Sequence, residues 1–183
     1  VEKLEIIKLC MYKHKKIVSF YLFDMREISY KGLLKNIELY SESYPDIKCY
    51  VYVVKDNVNK HMIKTIESKG AIVKNCVHVP KWYKKILNII PYENKNELFL
   101  SRNCESRLIK REQIAIQKFT NQIFNFNIIR DNPNQLKLIP SGLWGSKNLN
   151  NKILRLKIME WSLFYIKKWE ECEKEFNEQQ KIR

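Results

Sequence analysis

Apolar and polar residues recur along the chain with two different periods, and segments of the two kinds alternate. Runs of β-branched and aromatic residues with a period of two are typical of strands. The clearest is 47–54, in which Lys48, Tyr50 and Tyr52 alternate with Cys49 and valines. Runs of this kind predict strands over 16–23, 47–54, 71–79, 97–101 and 124–130.

Between these runs, apolar residues recur every three or four positions, which is typical of a helix with one buried face. Leu33, Ile37 and Tyr40 form one such face, and the sequence YPD at 44–46 ends it. Helices are predicted from Ser29 or Tyr30 to about Ser43, from a cap at Asn57 or Asn59 to Gly70, over 81–89, over 110–121 and over 152–179. Residues 131–146 show neither period and are predicted to be irregular.

This alternation predicts the α/β fold class, with right-handed βαβ units on a mostly parallel sheet and helices on both faces, which is Rossmann-like. Strands 16–23, 47–54 and 97–101 should include parallel neighbours. We expect residues 1–150 to form one domain. Residues 151–183 should form an amphipathic C-terminal helix that packs on this domain or projects from it. If the chain is not an active enzyme, this helix should offer a surface to protein partners.

Composition and charge indicate which partners and which cellular compartment the sequence favours. The 183 residues are 45% hydrophobic, and the net charge is +14. The basic residues are spread along the chain, which favours solubility over a binding face and leaves nucleic acid supported only by diffuse charge. Five cysteines without a Cys-x-x-Cys pair indicate a reducing, intracellular compartment. No apolar run is long enough for a transmembrane segment. The first residue is Val1, which leaves open a targeting segment upstream.

Candidate chemistry lies just after the predicted strand 97–101. Asn103 and Glu105 place an amide and a carboxylate two residues apart. In parallel sheets, ligands bind beyond the carboxyl ends of the strands, so a metal and diphosphate site is one interpretation. A solvated turn leading into a helix is the other. No glycine-rich phosphate loop of either common type occurs, which disfavours a dinucleotide dehydrogenase or a P-loop enzyme.

Four segments in this order resemble the GT-A-type glycosyltransferases, which use nucleotide sugars. They are FYLFDMREISYKGLLKNIELYSESYPDIKCYVYV at 20–53, FLSRNCESRLIKRE at 99–112, FNIIRDNPNQ at 126–135 and PSGLWGSK at 140–147. The second is similar to the segment Ser-Arg-Asp-x-Asp-Ser-Arg of that family. The resemblance covers most of the chain and implies a GT-A-like fold.

The resemblance also implies roles for individual residues. Asn103 and Glu105 stand where the family has two aspartates that hold a divalent cation, Mn or Mg. Arg130 and Asp131 match a catalytic loop. The residues expected to bind the nucleoside diphosphate sugar are Tyr30, Gly32, Arg107 and Trp144. Tyr30 and Gly32 would lie in a loop around the base, and Trp144 in a turn near the sugar. Several of these residues also have a purely structural interpretation: Asn103 and Glu105 as a solvated turn, Arg130 and Asp131 as a strand-end salt bridge, Tyr30 as a core or cap residue, and Trp144 as a core residue in a tight turn.

The departures from the family pattern leave two hypotheses open. Asn103 offers a neutral oxygen where a hard cation needs an anionic ligand, and no histidine follows His78, so cation binding should be weak. The first hypothesis is a glycosyltransferase that moves a sugar from a nucleoside diphosphate sugar to a glycan or other hydroxyl acceptor. The second is a catalytically degenerate glycosyltransferase fold that acts as a basic structural or interaction subunit of a larger assembly.

Overall fold

A six-stranded sheet organises the structure, which is a computed structural model and describes residues 15–22, 26–54, 58–76, 97–129, 142–147 and 171. The strands are β1, Lys16–Leu22; β2, Lys48–Val54; β3, Ile72–Cys76; β4, Leu98–Arg102; β5, Phe126–Ile128; and β6, Leu143–Lys147. The described helices are α1, Glu27–Ser43; α2, Lys60–Ser68; and α3, Lys110–Asn121.

The strand order is β3-β2-β1-β4-β6-β5. Strands β1 to β4 run parallel, and β6 is antiparallel to both of its neighbours, β4 and β5. The sheet is therefore mixed but mostly parallel. This confirms the α/β class and the predicted parallel neighbours, since β1 pairs with both β2 and β4.

One face of the sheet carries the main hydrophobic core. The side chains Val18, Phe20 and Leu22 of β1 join those of β2 and β4 in a single cluster with buried residues of all three described helices. The helical contributors are Leu33, Ile37 and Tyr40 of α1, Ile66 of α2, and Ile116 and Phe119 of α3. The stripe predicted from helical periodicity in α1 is thus its buried face, because burying that apolar area is favourable.

The opposite face is also buried, but it is richer in aromatic and polar atoms. The rings of Tyr21 and Tyr52 stack with centroids 5.0 Å apart, and Trp144 packs on Phe99 at 4.9 Å. Ser101 between them is fully buried. The described helices contribute to the first face, and the helices predicted over 81–89 and 152–179 lie outside the described residues. The prediction of helices on both faces therefore stays a prediction.

Caps and turn residues in the sequence predicted the ends of most helices and strands correctly. Asn59 caps α2, its side-chain Oδ1 accepting from Met62 N–H at 2.8 Å, and Gly70 follows that helix with φ 86°. Helix α1 begins at Glu27, slightly before the predicted start. The prediction of an irregular segment over 131–146 was wrong for 143–146, which belong to β6, while 131–141 lie outside the described residues. The five residues LWGSK lack clear alternation, and pairing with β4 and β5 makes them a strand.

The chain divides into two units, Val1–Asn150 and Asn151–Arg183. Only residue 171 of the second unit is described, so the predicted C-terminal helix lies outside the described residues. Among the helices in the described part of the chain, none is long and apolar enough to span a membrane.

Candidate functional site

The candidate site lies at the carboxyl ends of β1 and β4. From β1 the chain continues through α1 to β2 on one side, while β4 pairs on the other side. The order of connection thus reverses between β1 and β4, and this is where open α/β sheets form ligand crevices. Residues 103–108, here called the site loop, follow β4 directly. Arg26, at the start of α1, reaches the same edge.

Glu105 of the site loop is held at the N-terminus of helix α1. Its Oε1 accepts from Arg26 Nη2 at 2.7 Å and from Ser29 Oγ at 2.8 Å. The Arg26 and Glu105 side chains are 63% and 43% exposed, so the ion pair is largely solvated. A helix N-terminus favours negative charge, and Arg26 and Ser29 reinforce that preference. The Glu105 carboxylate therefore already has a cationic partner within the protein.

Asn36 anchors the backbone of the site loop from inside α1. This residue is fully buried. Its Nδ2 donates to the carbonyls of Cys104 at 3.0 Å and Ser106 at 2.9 Å, and its Oδ1 accepts from Leu108 N–H at 3.3 Å. Both donors of the amide and one of its two acceptor lone pairs are used on one loop, which ties the loop to the helix as a unit.

Close packing reinforces this attachment. Helix α1 approaches the site loop at Gly32, where a Cβ would overlap the Cys104 carbonyl oxygen and the Arg107 guanidinium. Cys104 is buried, and its Sγ donates to the Tyr21 carbonyl of β1 at 3.0 Å. Gly32 thus permits a contact between two elements. The expectation that Tyr30 and Gly32 lie in a loop was wrong, since both lie within α1.

Asn103 lies at the exposed rim, against the turn that precedes β6. Its N–H donates to the Gly142 carbonyl at 3.2 Å. Gly142 has φ 81°, and a Cβ on it would overlap the Asn103 side chain. Two reasons therefore favour glycine here: the left-handed backbone and the close approach of Asn103. The site loop is fixed on this side by β6 as well as by α1.

The Arg107 guanidinium lies beside Gly32 of α1 and turns back onto the site loop. Its Nη1 donates to the carbonyls of Cys104 at 3.3 Å and Glu105 at 3.0 Å. The residue as a whole is nevertheless exposed. An anion approaching the site can therefore meet a guanidinium that the loop has already oriented.

The base of the site contains a buried ion pair between β4 and α3. Arg102 and Glu112 are 3% and 2% exposed at the side chain, and Arg102 Nη2 lies 2.5 and 2.6 Å from the two Glu112 carboxylate oxygens. Glu112 stands in the first turn of α3, where the helix dipole favours a carboxylate. Both residues belong to the segment FLSRNCESRLIKRE at 99–112, and the structure shows that they are partners.

These contacts do not fit the cation that the resemblance implied. A hard divalent cation binds several oxygen ligands, preferably anionic ones. Here the single carboxylate of the loop, Glu105, contacts a guanidinium at 2.7 Å, and Asn103 adds only a neutral oxygen. Within the described residues, no group of three or more His, Cys, Asp or Glu side chains could hold a metal ion.

The remaining predicted residues divide into two groups. Trp144 is 5% exposed and stacks on Phe126 at 5.5 Å, so it is a core residue of the second sheet face. Tyr30 is half-buried and packs against the main core. Arg130 and Asp131 lie outside the described residues. The structure thus brings together Asn103, Glu105, Arg107 and Gly32, and their roles toward a nucleotide sugar stay predictions.

No family model matches the chain, and no curated protein or solved structure matches it. The resemblance to glycosyltransferases therefore rests on the four sequence segments alone.

Sequence reasoning missed Arg26, Ser29 and Asn36 as site residues. Asn36 gave a usable signal, because it falls on the same helical stripe as Leu33, Ile37 and Tyr40. A polar residue within an apolar stripe is expected to be buried with hydrogen-bond partners. Arg26 and Ser29 gave none, since their partner Glu105 is far away in sequence and only the β1–β4 pairing brings it near.

Proposed function

We propose that this chain is a GT-A-like, Rossmann-like domain that has lost cation-dependent sugar transfer and acts as a basic structural or interaction subunit. The observation that carries the proposal is the pairing of Glu105 with Arg26 and Ser29. The carboxylate that would bind a cation neutralises a guanidinium instead. A cation at this position would have to displace Arg26 or share Glu105 with it.

Electrostatic interactions at the site loop should greatly lower its affinity for a divalent cation. The charge on the ligands sets much of the affinity of a hard-cation site, and Asn103 has already reduced two negative charges to one. Arg26 then cancels the remaining charge at 2.7 Å. A divalent cation in the same place would meet a neutral ion pair instead of a free carboxylate, and the nearby Arg26 guanidinium would repel it. No step of sugar transfer is therefore assigned to a metal here.

The buried contacts that attach the site loop support retention of the fold for another purpose. Asn36, Cys104 and Gly32 hold the loop to α1 and β1 through buried contacts. Such contacts stabilise the domain whether or not a ligand binds. The net charge of +14 then suits a subunit that contacts acidic partners in an assembly.

Calorimetry with uridine and guanosine diphosphate, with and without manganese, tests this proposal. We expect manganese to leave any nucleotide binding nearly unchanged. Metal-dependent binding that disappears in Glu105→Ala would overturn the proposal and restore a cation-dependent enzyme.

A second pair of variants isolates the role of Arg26. Asn103→Asp alone should gain little manganese affinity, because Glu105 remains paired. Asn103→Asp with Arg26→Ala frees two carboxylates and should bind manganese at least about tenfold more tightly than Asn103→Asp alone, equivalent to roughly 1.4 kcal/mol. Asn103→Asp with Lys31→Ala is the control, since Lys31 is a cation of the same helix that pairs with Glu27. Equal affinities in the two double variants would exclude the proposed competition.

Sugar transfer from a nucleoside diphosphate sugar to a glycan or other hydroxyl is the second candidate function. The guanidinium of the exposed residue Arg107 at the crevice between β1 and β4 favours it. Charge-assisted hydrogen bonds from this group could hold a diphosphate without a metal. Tight nucleotide binding without manganese that is lost in Arg107→Ala would favour this function over the structural one.

A further inference from the structure

Strand β5 is an outer strand of the sheet, and exposed apolar side chains surround it. Ile123 is 90% exposed, Phe124 62% and Phe126 40%. Single exposed apolar residues are ordinary, but three of them within four positions form a patch beside a strand edge. Residues 123–128 are here called the β5 edge.

The backbone of β5 has hydrogen-bonding groups on its outer side. Toward β6, Ile129 N–H donates to Leu143 O at 2.9 Å, and Lys147 N–H donates to Asn125 O at 3.1 Å. In an antiparallel ladder, every second residue directs its backbone N–H and C=O groups toward a given neighbouring strand. Phe126 and Ile128 therefore direct their N–H and C=O groups away from β6. In the described sheet, no strand lies on that side.

Charge distinguishes this edge from the rest of the chain. Charged residues make up 30% of the sequence, yet none stands between Lys118 and Arg130. Natural sheet edges are commonly protected by a charged residue, and a lysine is typical. The other outer strand of the described sheet, β3, contains a lysine, Lys74, whose Nζ lies 5.7 Å from the centroid of the Tyr50 ring. The β5 edge lacks such protection and alternates apolar residues with asparagine.

We propose that the β5 edge is a self-association surface and that its occupant is the β5 edge of a second copy of this chain. A two-fold axis beside Asn127 would set Phe126 of one copy opposite Ile128 of the other. Two such pairs can exchange four backbone hydrogen bonds in an antiparallel ladder. The flanking side chains Ile123 and Phe124 would supply the apolar area, because β5 itself is short.

The local absence of charge favours a second copy over an acidic partner. A chain of net charge +14 attracts acidic proteins, but an acidic segment would find no basic residue on the β5 edge itself. Two copies would meet where their mutual repulsion is weakest. Since their remaining charges repel, added salt should strengthen this association by screening. Association with an acidic partner would weaken instead.

Sedimentation velocity of the full chain over about a 100-fold concentration range, at low and high salt, tests the proposal by mass action. We expect a monomer–dimer equilibrium that shifts toward the dimer as salt is added. Hydrogen exchange should then show that the amides of Phe126 and Ile128 become protected in the dimer. The amides of Asn127 and Ile129, which face β6, should change little.

Substitution locates the surface independently. Ile123→Lys with Phe124→Lys should weaken the dimer about tenfold or more, because it places charge on both copies at the contact. Ile109→Lys is the matched control, since Ile109 is 50% exposed at the opposite end of α3, and it should change dimerisation much less. Thermal unfolding shows that each variant is folded.

A monomer at every concentration and salt, growth beyond a dimer, or a dimer that weakens with salt would overturn the proposal. A dimer without protection at Phe126 and Ile128 would also overturn it, even if the lysine variants fail to fold. Self-association through the β5 edge does not depend on the loss of cation binding at the site loop. If manganese proved to be required for nucleotide binding, the proposed dimer would be unaffected. If the chain proved to be monomeric, the proposed loss of cation-dependent sugar transfer would be unaffected.

Discussion

Asn36 is a single amide that connects helix α1 to three backbone groups of the site loop. Its neighbours on the helix surface are apolar, and it is fully buried. A buried amide without partners would cost free energy, so its hydrogen bonds to Cys104, Ser106 and Leu108 are what make this position tolerable. The same bonds set the position of Glu105, which lies between the anchored residues. One side chain thus joins core packing to site geometry.

We therefore expect Asn36→Leu to destabilise the domain although leucine is apolar and similar in size. Two carbonyls and one N–H would lose buried partners, at a cost of about 2–4 kcal/mol. Urea unfolding measures the change, and faster exchange of the Leu108 amide would place it in the site loop. Asn121→Leu is the control, since Asn121 is exposed at the end of α3 and should change stability by less than about 0.5 kcal/mol. Equal costs for the two variants would contradict the anchoring role.

At the scale of elements, helix α3 is fixed at both ends by charged side chains of neighbouring strands. At its start, Glu112 pairs with Arg102 of β4. At its end, the buried Lys147 of β6 donates to the carbonyls of Phe119 at 2.9 Å and Thr120 at 3.1 Å, and also to that of Gln122. Both charges agree with the helix dipole. The strands that border the site thus also hold α3.

The buried pair gives a prediction at this scale. Glu112→Gln should destabilise the fold by about 3–5 kcal/mol, because it leaves the Arg102 charge buried without compensation. The double variant Arg102→Met with Glu112→Leu should recover most of this loss, since it removes both charges and keeps the volume.

Chemical denaturation of the three proteins checks this non-additivity. Glu67→Gln, in the last turn of α2, is the control for the loss of one carboxylate at an exposed position. If the double variant were less stable than Glu112→Gln, the pair would contribute net stability instead.

At the scale of the whole molecule, tight burial of titratable groups links stability to pH. Burial raises the pKa of the Cys49 thiol to about 12 from its ordinary value of 9.0. Burial also raises the pKa of the Tyr40 hydroxyl well above 10.0. Both groups are neutral in the fold, and both ionise more easily in the unfolded chain. Their contribution is complete below pH 9 and is lost as the pH rises through the ordinary values toward the folded ones.

The free energy of unfolding should therefore fall above about pH 9, where Cys49 and then Tyr40 ionise in the unfolded chain. Tyr40→Phe should flatten this decline above pH 10.

The Tyr40 hydroxyl has no hydrogen-bond partner within the described part of the chain, so the variant should also gain about 1–3 kcal/mol of stability at pH 7. Tyr44→Phe is the matched control. The Tyr44 hydroxyl donates to the Gln113 carbonyl at 3.1 Å, so its loss should destabilise. Denaturation at a series of pH values measures the pH dependence of stability and the change at pH 7. A Tyr40→Phe variant less stable than the parent would show that the Tyr40 hydroxyl does have a hydrogen-bond partner.

The periodicity of the sequence was enough to predict the α/β class and, within a few residues, most of the described strands and helices. Strand and helix differ locally in the spacing of apolar residues, and caps such as Asn59 and stops such as Gly70 are local as well. Strand β6 was not predictable from its own residues. Its five residues form a strand because β4 and β5 supply hydrogen bonds on both sides.

The site shows the same division. Sequence alone placed Asn103 and Glu105 after a strand, at the edge where ligands bind, because strand direction in a parallel sheet follows from βαβ connection. Only the tertiary structure decided what Glu105 does. Arg26 and Ser29 lie 79 and 76 residues away, and they reach Glu105 because β1 pairs directly with β4. A carboxylate's role depends on the charge beside it, and that charge comes from a partner that no local pattern identifies.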